Sequence, residues 1–303
     1  MKNSLSILLM CSFQFIYSQT SDSLKIKEHL IKITKTEKAR NYKNIATLNQ
    51  VASYIYNEFN TYADSTYYQK FKANGKTYKN VICSFGSHNL QTIVIGAHYD
   101  VCGDQEGADD NASGVTGLLE LARLLKDKTL KYKIEIVAYT LEEPPFFRTK
   151  YMGSYIHAKS LKNKKTNVYG MISLEMIGYF DDAEHSQEYP RNDLSKFYGN
   201  KGNYISIVNK LKKGTFARKF STLFIKKRHI ETKEISIPQS ITGVDFSDHL
   251  NYWSFDYSAL MITDTAFYRN KNYHNSSDTV KTLNITKMTQ VINTVYETLT
   301  ELE

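Results

Sequence analysis

The sequence predicts an α/β domain built on a largely parallel sheet. Apolar runs of strand length alternate with amphipathic helical stretches along most of the chain. Several of these runs end in clusters of imidazole and carboxylate, where open α/β sheets carry their chemistry. No repeat, low-complexity tract or linker interrupts the pattern, so residues 19–303 are expected to form one domain.

Taken in order, residues 1–18, MKNSLSILLMCSFQFIYS, open with Lys2 and an apolar stretch from Leu5 to Tyr17, and end on the small Ser18. This is the pattern of a secretory signal, too short for a comfortable transmembrane helix, and it predicts a secreted or periplasmic protein. Residues 19–44 are polar and charged. Residues 46–60 put Leu48, Val51, Ala52, Ile55 and Phe59 on one helical face. Strand-like segments at 65–71 and 78–84 flank Asn74-Gly75, a hairpin-turn pair. Ile93 to Ala97 reads as a buried strand. From about Ala112, Val115, Leu118, Leu119, Ala122 and Leu125 recur at helical spacing.

Residues 132–140 predict the next strand, which runs into Leu141-Glu142-Glu143-Pro144-Pro145. A helix is expected from Gly153 to Leu161, a solvated loop from Lys162 to Asn167, and a strand from Val168 to Leu174 that ends at Glu175. Residues 180–203 are polar and irregular, suited to a rim or lid. Beyond them come a strand at Tyr204–Lys210, a helix at 214–228 and a mostly loop stretch at 229–249. A strand at Tyr257–Thr263, a loop at Asp264–His274 and an amphipathic helix at Ile285–Leu302 close the chain.

The formal charge is +8, and its basic residues fall in short groups such as Lys226, Lys227 and Arg228. No stripe interleaves them with aromatics, which argues for solvated faces and against nucleic-acid binding. Cys83 and Cys102 are the cysteines beyond the signal, and export would permit a disulfide between them without requiring one. Cys102 follows His98 closely enough to serve as a ligand, but a small buried residue is the expectation.

The chemistry converges at the strand ends. His98, Asp100, Asp109 and Asp110 lie in the loop after Ile93–Ala97, Glu142-Glu143 after the second strand, Glu175 after the third, and His274 in a later loop. Strand ends of a parallel sheet share one edge, so these groups can meet. Imidazole and carboxylate suit zinc, and a carboxylate can bridge two ions about 3.5–4 Å apart. Adjacent glutamates allow one to bind metal while the other acts as base. Asp109 reads as a neighbour of the ligands. Asp248 and His249 read equally as supporting residues or as a helix start. His157, His185, His229 and Trp253 carry no site pattern.

The ordered series HYD, GADDNASG, EE, LEMIG, SDH and a final YH before SDT resembles the co-catalytic zinc aminopeptidases of metallopeptidase clan MH. That family includes bacterial leucyl aminopeptidases and glutaminyl cyclases. The resemblance runs from about His98 to the last helix and implies a three-layer αβα sandwich with two zinc ions. Carried over by position, it implies that His98 and Glu175 hold one zinc, that Glu143 and His274 hold the other, and that Asp110 bridges them. Glu142 matches the general base, acting on a zinc-bridging water, and Asp100 matches the carboxylate that orients His98. The implied substrate is a peptide with a free N-terminus.

The chain departs from the family in three places. Glu175 stands where some members have Asp. EEPPFFRTKYMGS is longer than the usual link after the base. Val244 occupies a position where well-known aminopeptidases carry a tyrosine that stabilises the tetrahedral intermediate. A single-zinc glutaminyl cyclase is the alternative, disfavoured by Ala112-Ser113-Gly114 after the bridging Asp. A non-catalytic binding module would have no need of all five ligands and the base.

Overall fold

A computed structural model describes residues 20–212 and 214–302, so the expected signal at 1–18 lies outside the described residues. One eight-stranded sheet in the order β1-β2-β4-β3-β5-β8-β6-β7 runs through the molecule. Its strands are β1 Ser65–Ala73, β2 Lys76–Phe85, β3 Thr92–His98, β4 Lys133–Tyr139, β5 Val168–Glu175, β6 Ile205–Lys210, β7 Thr232–Ile237 and β8 Ala259–Thr263. The central set β4-β3-β5-β8 is parallel. The sheet turns antiparallel on both sides, at β2 against β4 and at β6 against β8. It is therefore mixed, with its parallel pairing concentrated in the middle.

Side chains of the buried strands alternate between two apolar layers, as the period of two requires. Ile93, Ile95 and Ala97 of β3 face one layer and Val94 the other; in β4, Ile134, Ile136 and Ala138 oppose Val137 and Tyr139. The first layer is covered by α1 Ser23–Thr34, α2 Ile45–Tyr62, α3 Gly114–Leu125, α6 Gly214–Lys227 and α8 Ile285–Glu301. The second is covered by α4 Gly153–Asn163 and α7 His249–Ser254. The result is an αβα sandwich. A further short helix, α5 Ser195–Tyr198, sits in the polar rim. Among the described residues, no helix is long and apolar enough to cross a membrane.

The hairpin between β1 and β2 turns on Asn74 and Gly75, both at positive φ (47° and 75°), the geometry of a type I′ turn. Two elements depart from expectation. α1 lies in the stretch read only as polar and charged. Its Ile26, Leu30 and Ile33 form a buried stripe that the intervening lysines and glutamate mask. β7 lies in the stretch expected to be mostly loop. It is an edge strand with Ile235 its one fully buried residue, so it lacks a strong alternating signal. Cys83 and Cys102 are both free, so the permitted disulfide does not form.

Candidate metal centre

The parallel register brings the site together. His98 ends β3 opposite Tyr139, whose strand runs on to Glu142-Glu143, and Glu175 ends β5 opposite Thr263 of β8. Asp110 lies in an irregular turn, Ala108–Ser113, where it and Asn111 leave helical geometry (φ −100° and −127°) before α3 begins. His274 arrives from the loop after β8.

The Asp110 carboxylate stands between two groups of candidate ligands. Its Oδ1 lies 3.3 Å from His98 Nε2, which is itself 3.5 Å from Glu175 Oε2. Its Oδ2 lies 3.1 Å from His274 Nε2, which is 3.3 Å from Glu143 Oε2. Glu142 Oε2 is 3.9 Å from His98 Nε2. His98, Asp110, Glu142, Glu143 and Glu175 are buried, and the His274 side chain is 28% exposed at the cleft mouth.

Neighbouring groups fix these side chains in place. Asp100 accepts the Glu142 N–H at 3.2 Å on one oxygen and the Glu143 N–H at 3.1 Å on the other. His98 Nδ1 lies 3.2 Å from the Asp100 main-chain oxygen, whereas the Asp100 carboxylate is 3.7 Å away. Sequence reasoning gave no role to Asp278, Asn111, Ser247 or Arg40. Asp278 accepts the N–H groups of Asp109 and Asp110 at 2.9 and 3.1 Å. Asn111 donates to Leu174 O at 2.9 Å and accepts from Gly114 and Met176 N–H, which ties the start of α3 to the end of β5. A Cβ on Gly114 would meet Asn111 Oδ1 at 2.4 Å and Leu174 O at 2.5 Å, so this close approach requires glycine. Ser247 donates to Glu175 Oε2 at 2.6 Å. The buried Arg40 donates to the carbonyls of Tyr99, Glu106 and Gly107 and bonds none of the site carboxylates. Asp278 and Ser247 were visible in the SDT and SDH segments, and Asn111 sits beside Asp110; Arg40 had no local signal.

Asp109 is a neighbour, accepting from Gly178 N–H at 3.0 Å and Asn270 Nδ2 at 2.7 Å. Asp248 precedes α7 without a side-chain cap bond, and His249 Nε2 bonds the Val244 carbonyl at 2.8 Å. His157 is a buried member of a Glu135–His157–Tyr252–Tyr139 chain. His185 and His229 lie elsewhere, His229 pairing with Glu297. Trp253 is core, donating to Ala259 O at 2.9 Å.

Electrostatics marks the cluster as short of positive charge. Burial, reinforced by Asp110, pushes Glu143 up to about 8. Burial also drives Glu142 well above the carboxylate range; His98 opposes this, and Glu143, Glu175 and Asp248 add to it. Burial alone would lower both histidines. The carboxylates outweigh it, holding His98 well above its ordinary value and His274 at about 10. Asp110, which burial alone would raise, is held low by His274 and His98. Buried Glu143 Oε1 has no hydrogen-bond partner, and Asp110 Oδ2 and His274 Nε2, though 3.1 Å apart, complete no well-aligned hydrogen bond. Unsatisfied buried polar atoms of this kind are costly unless a ligand satisfies them. Oxygen and imidazole donors converging at ligand distances, with excess negative charge, fit divalent cations and zinc in particular.

A small apolar pocket adjoins the cluster. Glu175, Phe246, Ala266 and Phe267 line both it and the metal cleft, and Val208, Ile235, Val244 and Met261 form its wall. Val244 thus faces apolar space and offers no donor.

The sequence model described as Peptidase family M28 matches residues 80–299. The protein named YfbL of Escherichia coli K12 is 44% identical over 271 residues, covering 87% of this chain and 83% of the relative. Among solved structures, the Legionella pneumophila LapA aminopeptidase superposes with a TM-score of 0.71 at 21% identity, covering 93% of this chain and 73% of that one. The Tannerella forsythia glutaminyl cyclase superposes with a TM-score of 0.68 at 18% identity, covering 94% of this chain and 100% of that one. The match across most of the chain makes this protein a member of peptidase family M28, a family of zinc-dependent metallo-exopeptidases.

Proposed function

We propose that this chain is a di-zinc aminopeptidase that removes N-terminal residues from peptides. The observation that carries the reading is Asp110, which turns one oxygen to His98 and the other to His274. His98, Asp110 and Glu175 would hold one zinc, and Asp110, Glu143 and His274 the other. When bound, zinc supplies a Lewis acid for the scissile carbonyl and lowers the pKa of water towards about 7.

The chain's own groups do the rest. Glu142, buried beside His98 and outside both ligand sets, takes a proton from the attacking water and returns one to the departing amine. Asp100 fixes Glu142 and Glu143 through their backbone. The carboxylate cluster attracts the substrate's α-ammonium, which restricts cleavage to the N-terminus. The apolar cavity behind Glu175 receives the first side chain, favouring leucine-like or aromatic residues.

The test is a panel of aminoacyl chromogenic substrates on zinc-loaded protein, with N-acetylated controls and a glutaminyl peptide. Turnover of free-amine leucyl substrate and none of its acetylated form is expected. Ring closure of the glutaminyl peptide without hydrolysis of the panel would overturn the reading in favour of cyclisation.

A further inference from the structure

Cys102 is a nucleophilic side chain beside the cluster that the proposed mechanism leaves unused. Its ligand atom lies within 4.8 Å of ligand atoms of both Glu143 and His274, which are within the same distance of each other. Glu143, only 4% exposed, has Oε1 buried without a partner. His274 Nε2 is likewise unsatisfied. The loop holding the cysteine is pinned on both sides. Val101 N–H donates to Arg40 O at 3.3 Å, and Asn41 Nδ2 donates to Gly103 O at 2.6 Å and Asp104 Oδ1 at 3.1 Å. The expected small buried residue is instead a partly exposed thiol at the edge of a ligand set.

We propose that Cys102 is an additional metal ligand, its sulfur joining Asp110, Glu143 and His274 at one of the two metal positions. This rests on the di-metal reading above. Ligation forms a metal–sulfur bond and releases the thiol proton to solvent. The two positions then differ in kind. One has four protein donors including a soft sulfur, the pattern of a tightly held zinc. The other, His98–Asp110–Glu175, has three and keeps open coordination. The sulfur-bearing position fills first and favours zinc, cobalt and cadmium over magnesium and manganese.

The experiment strips the full chain with chelator and titrates it with Co²⁺, following the visible ligand-field bands and the near-ultraviolet thiolate-to-cobalt charge-transfer band. The charge-transfer band should grow with the first equivalent and vanish in Cys102→Ser and Cys102→Ala. Cobalt should also protect the Cys102 thiol of the parent from iodoacetamide, a readout that needs no variant to fold. Zinc affinity at that position should fall by at least roughly tenfold in the variants, the low end even for losing an outer partner of a ligand. Visible bands without the charge-transfer band, with unchanged alkylation, would overturn the Cys102 assignment and leave the metal centre standing. Absence of visible bands altogether would remove both.

Discussion

Asp100 holds Glu142 and Glu143 by their backbones, one carboxylate oxygen to each N–H, at 3.2 and 3.1 Å. One carboxylate thus sets where both the proposed base and a proposed ligand leave the end of β4, and the Asp100 main-chain carbonyl meets His98 at 3.2 Å. In Asp100→Asn, one acceptor becomes a donor facing an N–H. Metal affinity and kcat/KM should both fall roughly 10–100-fold, as for other residues that orient ligands. Parent-like metal titration and kinetics would show that the Glu142-Glu143 turn holds itself.

Glu142 and Glu143 are separable by metal content. Glu142→Gln keeps shape and removes the proton acceptor, so zinc should stay while turnover drops roughly 10²–10⁴-fold. Glu143→Gln should lose metal first and regain part of its activity with excess zinc. In the metal-free protein Glu143 keeps its proton up to about 8 and His274 up to about 10, so zinc competes with protons there. Zinc affinity of the parent should therefore rise with pH through about 8, with proton release visible in weakly buffered titrations. Zinc lost from the Glu142 variant and kept by the Glu143 variant would reverse the two roles.

Much of this architecture was legible because burial and period agree. β3, β4 and β5 are short apolar runs that end in charge, and a parallel centre places their ends on one edge. α1 was not, because Lys25, Lys27, Glu28 and Lys32 surround its buried stripe. β7 was not, because an edge strand buries little. At the cluster, the residues with unusual chemistry stood out, while those that only hold them did not. Arg40 acts from a distant loop through carbonyls, a relation that no spacing encodes. The apolar cavity escaped for the same reason, since β6, β7, β8 and three loops share its wall.

Tyr273 is our candidate for the donor that Val244 cannot supply. Its ring stacks on His274, with 3.7 Å between centroids and 18° between planes, and it lines the metal cleft. Burial and then the carboxylates of Asp110 and Glu143 push its phenol far up, so it stays protonated at any working pH. Tyr273→Phe keeps the stack and removes the hydroxyl. We expect kcat to fall roughly 10²–10³-fold, the size of losing one donor to a developing oxyanion, with metal content and KM little changed. Parent-like kcat would assign that stabilisation to the metal alone.

A buried polar chain lies behind β4, outside the candidate metal centre. Glu135 Oε1 meets His157 Nε2 at 2.9 Å, His157 Nδ1 meets Tyr252 Oη at 2.6 Å, and Tyr252 Oη meets Tyr139 Oη at 2.7 Å. Lys133 donates to the other Glu135 oxygen at 2.8 Å. Burial alone would raise Glu135, but His157 and then Lys133 overcome it and bring it from 4.5 down to about 2. A carboxyl depressed on folding contributes stability that is complete above its unfolded value. That stability drains away as pH falls from about 4.5 through about 2. The shift corresponds to at most about 3 kcal/mol, because His157, its largest favourable cause, contributes its charge only while the imidazole carries a second proton. Glu135→Gln should be less stable than the parent by up to that amount near neutrality, and the gap should close as pH approaches about 2. Urea unfolding of both proteins with chelator present, so that zinc release does not enter, measures the gap. A difference constant across that range would mean that the glutamate is retained for packing and its charge contributes nothing.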